Sequence, residues 1–453
     1  MATIPNWKNR NMVHAKTVIL LVFCWFSTSL VGQYHTHPID KNIRTLRVRF
    51  ADAQTHEIQP KLERPILDLQ QLDKNILEIS FDELSHQPKN YSYTLVHLNA
   101  DWRPSNLHSA DYLSGFTEQD ITDYVYSFNT VQLYTHYSFF FPNDEMQPLV
   151  SGNYVLKILD RDNHSQEVAH VCFSVVDTRA KINAEITPKT DIEYNRRFQQ
   201  LEIEVMPFEN NQRFSGNLNN DYFIVVQQNN RFDNICYAPK TVHIEANKLK
   251  YIHCKELIFE GGYEYRHFDI FSTYLNGTNV RDVQFLEHRN YHAFLEPDLF
   301  LAYPDYQFKY DANGQYVVNA ERVREIDSEA EYMWVHFIVP TERPFLDGKV
   351  YVGGDIFHNQ LDASNQMYYD TKLEAYCFSA FVKQGGYDYQ YWFVPNHPTL
   401  ENPAKSSLFY PYSATLQRTE GSFWQTNNEY TIYVFYRPIG ALYDQLVGVE
   451  VVK

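Results

Sequence analysis

The chain is 453 residues long, enough for about two to four domains with sizeable cores. Its 56 acidic residues outnumber 39 lysines and arginines, and the formal charge of −17 argues against nucleic acid and against an anionic membrane surface as partners. At the amino end Lys8, Arg10 and Lys16 precede an apolar run at 18–26, which gives way to Ser27-Thr28-Ser29 and Val31-Gly32-Gln33. A basic start, a short apolar core and a small-residue exit define a secretory signal peptide over residues 1–32, with cleavage expected after Gly32. The run is too short and too one-sidedly flanked to cross a membrane, and no later stretch approaches the roughly 18 apolar residues a crossing needs. Cys24 does not read as a lipid attachment site, because Val22 and Phe23 are bulky where a lipobox takes small residues. Loss of the signal moves the formal charge from −17 to −20 and leaves Cys172, Cys236, Cys254 and Cys377 in a compartment where disulfides form.

Beyond the signal, Leu46, Val48 and Phe50 alternate with Arg47 and Arg49, and Leu77, Ile79 and Phe81 with Glu78 and Ser80. Tyr91, Tyr93 and Leu95 alternate with Ser92 and Thr94. Such period-two patterns are half-buried strands. Short apolar runs punctuated by Asp, Asn, Pro and Gly follow from residue 99 to 157, with room for a helical turn at 114–123. Ser151-Gly152 reads as a turn entering a strand, and a hairpin of 154–159 and 168–176 around Asp160-Arg161-Asp162-Asn163 closes a β-sandwich expected at 38–177. A polar linker at 177–181 leads to runs at 201–205, 222–226, 250–253 and 263–271, expected to form a second sandwich at 178–296. Cys236 and Cys254 flank a predicted hairpin there; they either pair across it or stand as isolated core thiols.

Residues 297–329, with Pro304, Asn313-Gly314 and the charged run Glu321-Arg322-Val323-Arg324-Glu325, read as an extended connector with room for one hairpin. The run 332–339 is apolar on both faces, which marks a central strand. Further strands at 350–354, 375–382, 387–394 and 430–436 give a third sandwich at 330–453. The fold class is all-β: three consecutive β-sandwiches, immunoglobulin-like or early-set-like, after a signal peptide. No exact internal repeat and no low-complexity segment interrupts it.

No motif for catalysis, a cofactor or a metal stands out. The acids supply many pairs that a glycosidase would need at a fixed separation, but none stands in a motif. Asp160-Arg161-Asp162-Asn163 lacks the Gly and the distal Glu of a calcium loop. His35-Thr36-His37 can grip a transition metal only weakly, and no His-Glu-x-x-His spacing supports it. There is no Gly-x-Ser-x-Gly elbow, and the Gly-Gly pairs at 261, 353 and 385 suit turns or bulges. The chain is therefore expected not to be an enzyme. The excess lies in aromatics: 35 Tyr and 31 Phe are more rings than three sandwich cores require, and rings are favoured at interfaces and on sugar-binding faces. Trp102, at a strand-to-loop exit, is either an interface ring or a cap on its own sandwich, and Tyr134 and His136 share that ambiguity. Trp392, in an apolar strand, reads as core.

The stretch Asn99-Ala-Asp-Trp-Arg-Pro-Ser-Asn-Leu107, continuing through Tyr126-Ser-Phe-Asn-Thr130, Tyr134-Thr-His-Tyr137 and Phe141-Pro-Asn143, resembles the plug protein of the type IX secretion system. That system is the Bacteroidota machine that exports proteins across the outer membrane. The resemblance continues in Arg231-Phe-Asp-Asn234, in Gly261-Gly-Tyr-Glu-Tyr-Arg-His-Phe-Asp269 and in the closing 437–448, so it spans nearly the whole mature chain. One departure is visible, since the family usually has Trp where this chain has Phe232. The resemblance implies a non-enzymatic, cofactor-free periplasmic protein that occupies the periplasmic mouth of the outer-membrane translocon β-barrel. It would be held at the outer membrane by that partner without inserting itself. Candidate partner contacts are Trp102, Asn106, Tyr134, His136, Arg231 and Asp233. The third domain has a weaker resemblance to glycogen- and starch-binding modules, in Val350-Tyr-Val-Gly-Gly354 and 384–390, although 355–359 lacks the expected Trp. Trp424 therefore marks the alternative, a periplasmic or surface glycan-binding accessory protein. A secreted hydrolase with an unrecognised site is a third class.

Overall fold

Alternating side chains along the strands build three pairs of facing sheets in the structure, a computed structural model that describes residues 33–60, 62–208, 218–240, 243–245, 247–286, 290–397 and 413–453. The signal segment expected at 1–32, with Cys24, lies outside the described residues. In the first sandwich one sheet runs Ile43–Asp52, Asn75–Glu83, Thr135–Phe141, Tyr124–Tyr126. The other centres on Tyr91–Leu98, Gly152–Asp160 and Gln166–Val176. Ile79, Phe81 and Tyr137 from the first face meet Tyr93, Tyr154 and Phe173 from the second in one core. Each such buried side chain contributes about 1.5–3 kcal/mol.

Arg161–Asn163 makes the expected hairpin turn, with the Asp160 carboxylate accepting the amides of Asp162 and Asn163. Gly152 opens its strand at φ +149°, where a Cβ would stand 2.3 Å from His97 Nε2, so a side chain has no room there. The helical turn expected at 114–123 falls at Ser109–Tyr112 instead. Asp111 closes it by accepting the His108 amide, and the residues that follow form the short strands Leu113–Gly115 and Glu118–Ile121.

The second sandwich packs Ala180–Thr187, Phe198–Pro207 and Lys248–Tyr251 against Tyr222–Gln228, Tyr430–Tyr436 and Gln445–Val452. The third packs Arg266–Asp269, Gly348–Gly353 and Gly385–Pro395 against Val280–Leu286, Asn290–Leu295, Tyr332–Pro340 and Ala375–Lys383. Tyr332–Pro340 is central, as its two apolar faces predict. The pairing crosses the boundaries expected at 296 and 330. Asn290–Leu295 pairs with Tyr332–Pro340, whereas Tyr430–Tyr436 returns to pair with Tyr222–Gln228. The connector expected at 297–329 supplies the strand Tyr316–Val318. A period of two says which face of a strand is buried, not which strand lies beside it. Among the described residues no helix is long and apolar enough to cross a membrane.

The cysteines do not face each other across a hairpin. Cys236–Tyr237 pairs with Val225–Val226, and the local hairpin is His243–Glu245 with Lys248–Tyr251. Cys236 and Cys254 both enter the second core, but no disulfide joins them. The Cys254 thiol lies 3.1 Å from the Glu256 carboxylate, and burial together with that carboxylate pushes it up to about 12.

Candidate functional site

On strand Asn75–Glu83, Ile79 and Phe81 point into the core, so Glu78, Ser80 and Asp82 share the outer face. Register places Arg49 beside Glu78 and His136 beside Asp82. An outer face of this kind normally meets water. Here the third sandwich covers it. Lys383, at the end of Ala375–Lys383, is 0% exposed and donates to the Asp82 carboxylate and to the Asp327 carbonyl, both at 2.7 Å. Its ammonium also lies 4.2 Å over the Tyr134 ring. Asp82 accepts the Tyr332 hydroxyl at 2.7 Å and lies 2.6 Å from His136 Nδ1. At the margin Arg47 pairs with Asp327 at 2.5 Å, and Arg49 forks onto Glu78 with both bonds at 3.0 Å. The first and third sandwiches are thus joined by a buried ion-pair network.

Burial alone would push Asp82 up, but Lys383 and His136 hold its carboxyl below the ordinary 3.8. Asp327 is likewise held down by Arg47 against its burial. Burial pulls the Lys383 ammonium below its ordinary value, against the attraction of Asp82. Because both carboxyls are depressed in the folded chain, the stability they supply is fully present above the unfolded value and is lost as pH falls through the folded ones. The thermal midpoint is therefore expected to fall below about pH 4, and Asp82→Asn should flatten that dependence when melting is followed from pH 7 downward.

A second joint lies between the second and third sandwiches. Arg231 forks onto Asp233 at 3.0 and 2.8 Å, donates to the Ala414 carbonyl at 3.1 Å and stands 4.6 Å over the Trp392 ring. Asp233 also accepts the Ala414 amide at 2.7 Å, and both charged side chains are buried. The Asp233 carboxylate raises the Arg231 guanidinium against its burial. At the third joint, between the first and second sandwiches, Trp102 packs edge-on to Phe232 at 6.3 Å, beside Leu98, Val225, Phe435 and Leu446. Trp102 holds φ +60°, a left-handed conformation rare for a bulky residue, while its amide donates to the Asn99 carbonyl at 2.9 Å.

The structure places most of the expected partner contacts at joints inside this chain. Trp102, Tyr134, His136, Arg231 and Asp233 are buried against other parts of this same chain, and of the six only Asn106 is exposed. Rings and charges at strand exits give the same sequence signal whether the surface they meet belongs to another protein or to a neighbouring sandwich. Lys383, Asp82 and Asp327 were not legible as a unit, since they come from three distant stretches. Trp392 is core, as expected, and Trp424 is half-buried with its amide donating to the Arg196 carbonyl at 3.0 Å. His35 stacks on His37 at 4.3 Å, and His37 lies across from His170 in the ladder. Burial pushes His35 down to about 3. Among the described residues no group of three or more His, Cys, Asp or Glu is placed to hold a metal ion.

Fold and joints together define an all-β protein of three sandwiches, with a buried ion-pair network between the first and third and buried side-chain contacts at the other two joints. Residues 43–177 match the family model for the type 9 secretion system plug protein 1st domain. A hypothetical protein from Parabacteroides merdae ATCC 43184, with a crystal structure at 2.30 Å, is 33% identical and has a TM-score of 0.83. The match covers 93% of this chain and 99% of that one. No curated protein matches. Residues 43–177 thus carry the first domain of the type IX secretion system plug protein family.

Proposed function

We propose that the protein closes the periplasmic opening of the type IX translocon barrel, as a stopper and not as an enzyme. The plug-family domain at 43–177 carries this reading. The joints support it on physical grounds. A wide aqueous barrel leaks unless its mouth is filled by a body of fixed outline. Sandwiches linked only by flexible segments would move against one another, whereas buried charge pairs resist separation because parting them leaves charges unpaired in a poor solvent. In this reading the protein is periplasmic and is held at the outer membrane through its partner.

The test is retrieval of the tagged mature protein from detergent-solubilised outer membranes of its own host, with mass spectrometry of what co-purifies. Recovery of the giant barrel protein is expected. Recovery of the bait alone, under conditions that preserve other barrel complexes, would overturn the reading and bring the glycan-binding alternative forward.

A further inference from the structure

Strand Tyr124–Tyr126 is the outer strand of its sheet, and among the described residues no strand pairs with its far side. The ladder to Thr135–Phe141 pairs Val125 with His136. The Ser127 amide donates to the Tyr134 carbonyl and the Ser138 amide to the Asp123 carbonyl, which fixes 123, 125 and 127 as the hydrogen-bonded positions. In an antiparallel ladder the alternate residues then turn their N–H and C=O groups outward, so Tyr124 and Tyr126 present an open backbone edge.

The side chains around this edge are apolar and uncovered. Tyr124, Val125, Tyr126, Phe128, Val131 and Leu133 are 41–64% exposed, and no charged residue occurs from 124 to 134. Exposed strand edges are usually guarded by charge. The edge strand Val280–Leu286, by contrast, carries Arg281 and Asp282. The uncharged edge is also held in shape from beneath. Buried Glu331 accepts the amides of Val131 and Gln132, the Phe128 amide donates to the Ser328 carbonyl at 2.9 Å, and the Tyr134 amide donates to Ser127 Oγ at 3.0 Å. A patch fixed in this way loses little conformational entropy on binding.

We propose that Tyr124–Tyr126, with Phe128, Val131 and Leu133, is the docking edge for an extended, non-acidic segment of the translocon barrel protein, added as a further strand. The inference rests on the plug reading above. Open backbone groups select an extended polypeptide over a lipid surface, with alternate side chains of that segment set against the apolar patch. Asp123 at the entrance disfavours an acidic segment, and two copies of a strongly acidic mature chain repel each other, which disfavours self-pairing.

The experiment measures binding of the full mature chain to purified translocon barrel, with melting of each variant recorded alongside. Tyr126→Pro removes an outward N–H and spares the ladder, a position where an edge strand tolerates proline. Val125→Lys places a charge on the edge by a separate route. Each is expected to weaken binding by about tenfold or more with melting unchanged, whereas Ile439→Lys, at a 98% exposed position, should bind as the wild type does. A photo-crosslinker at Leu133 should capture a barrel peptide. Wild-type affinity in both edge variants would overturn the docking edge and leave the plug reading standing. Capture of a second copy at Leu133 would overturn it as well, and a wild-type chain that does not bind the barrel would overturn both.

Discussion

Replacing Lys383 with methionine is expected to destabilise the folded chain by about 3–5 kcal/mol. Methionine fills the aliphatic volume, so the loss comes from charge and not from a cavity. Without the ammonium, Asp82 keeps the Tyr332 hydroxyl and His136 but loses its buried cation, and the Asp327 carbonyl loses a donor. A buried carboxylate left in that state costs far more than an exposed pair is worth, because water cannot reach it. Pairing Lys383→Met with Asp82→Asn should restore much of the loss, since the amide still offers an acceptor and carries no charge. Urea unfolding at neutral pH measures both variants. A Lys383→Met midpoint equal to that of the wild type would mean that the pair does not fasten the first sandwich to the third.

Arg231→Met is expected to be similarly severe, at about 3–5 kcal/mol, with about 1–2 kcal/mol more from the lost stack over Trp392. The guanidinium does three things at once: it forks onto Asp233, bonds the Ala414 carbonyl and covers the indole. Lysine supplies the charge without the planar fork, so Arg231→Lys should recover only part of the stability. Asp233 also holds the Ala414 amide and the Ser413 hydroxyl, so its own orientation depends on Arg231. Limited proteolysis should therefore show faster cleavage near 413–416 in Arg231→Met than in the wild type. Equal cleavage would place the stability of that segment elsewhere.

The strands were legible because their faces are. Ile79 and Phe81 against Ser80, or the doubly apolar 332–339, leave few other choices once the period is two. The partnership of Tyr222–Gln228 with Tyr430–Tyr436 was not legible, because Ile224 and Val226 fit any apolar strand and about two hundred residues separate the pair. The role of Asp82 was not legible for a related reason. Alternation marks its position as the outer face of a sheet, and an outer face reads as solvated until a neighbouring sandwich is known to cover it. Trp102, Tyr134, His136 and Arg231 drew notice for the right chemistry, and the surface they meet is internal. Class came from the residues, whereas the family came from the resemblance. The uncharged edge at Tyr124–Tyr126 was present in the sequence as an apolar run, but only the ladder shows that its far side is open.

The most direct test of the stopper is solute efflux from liposomes that carry the purified translocon barrel. Addition of the mature protein to the periplasmic face is expected to arrest release of a small entrapped dye. Efflux that continues unchanged at saturating protein would contradict closure of the channel.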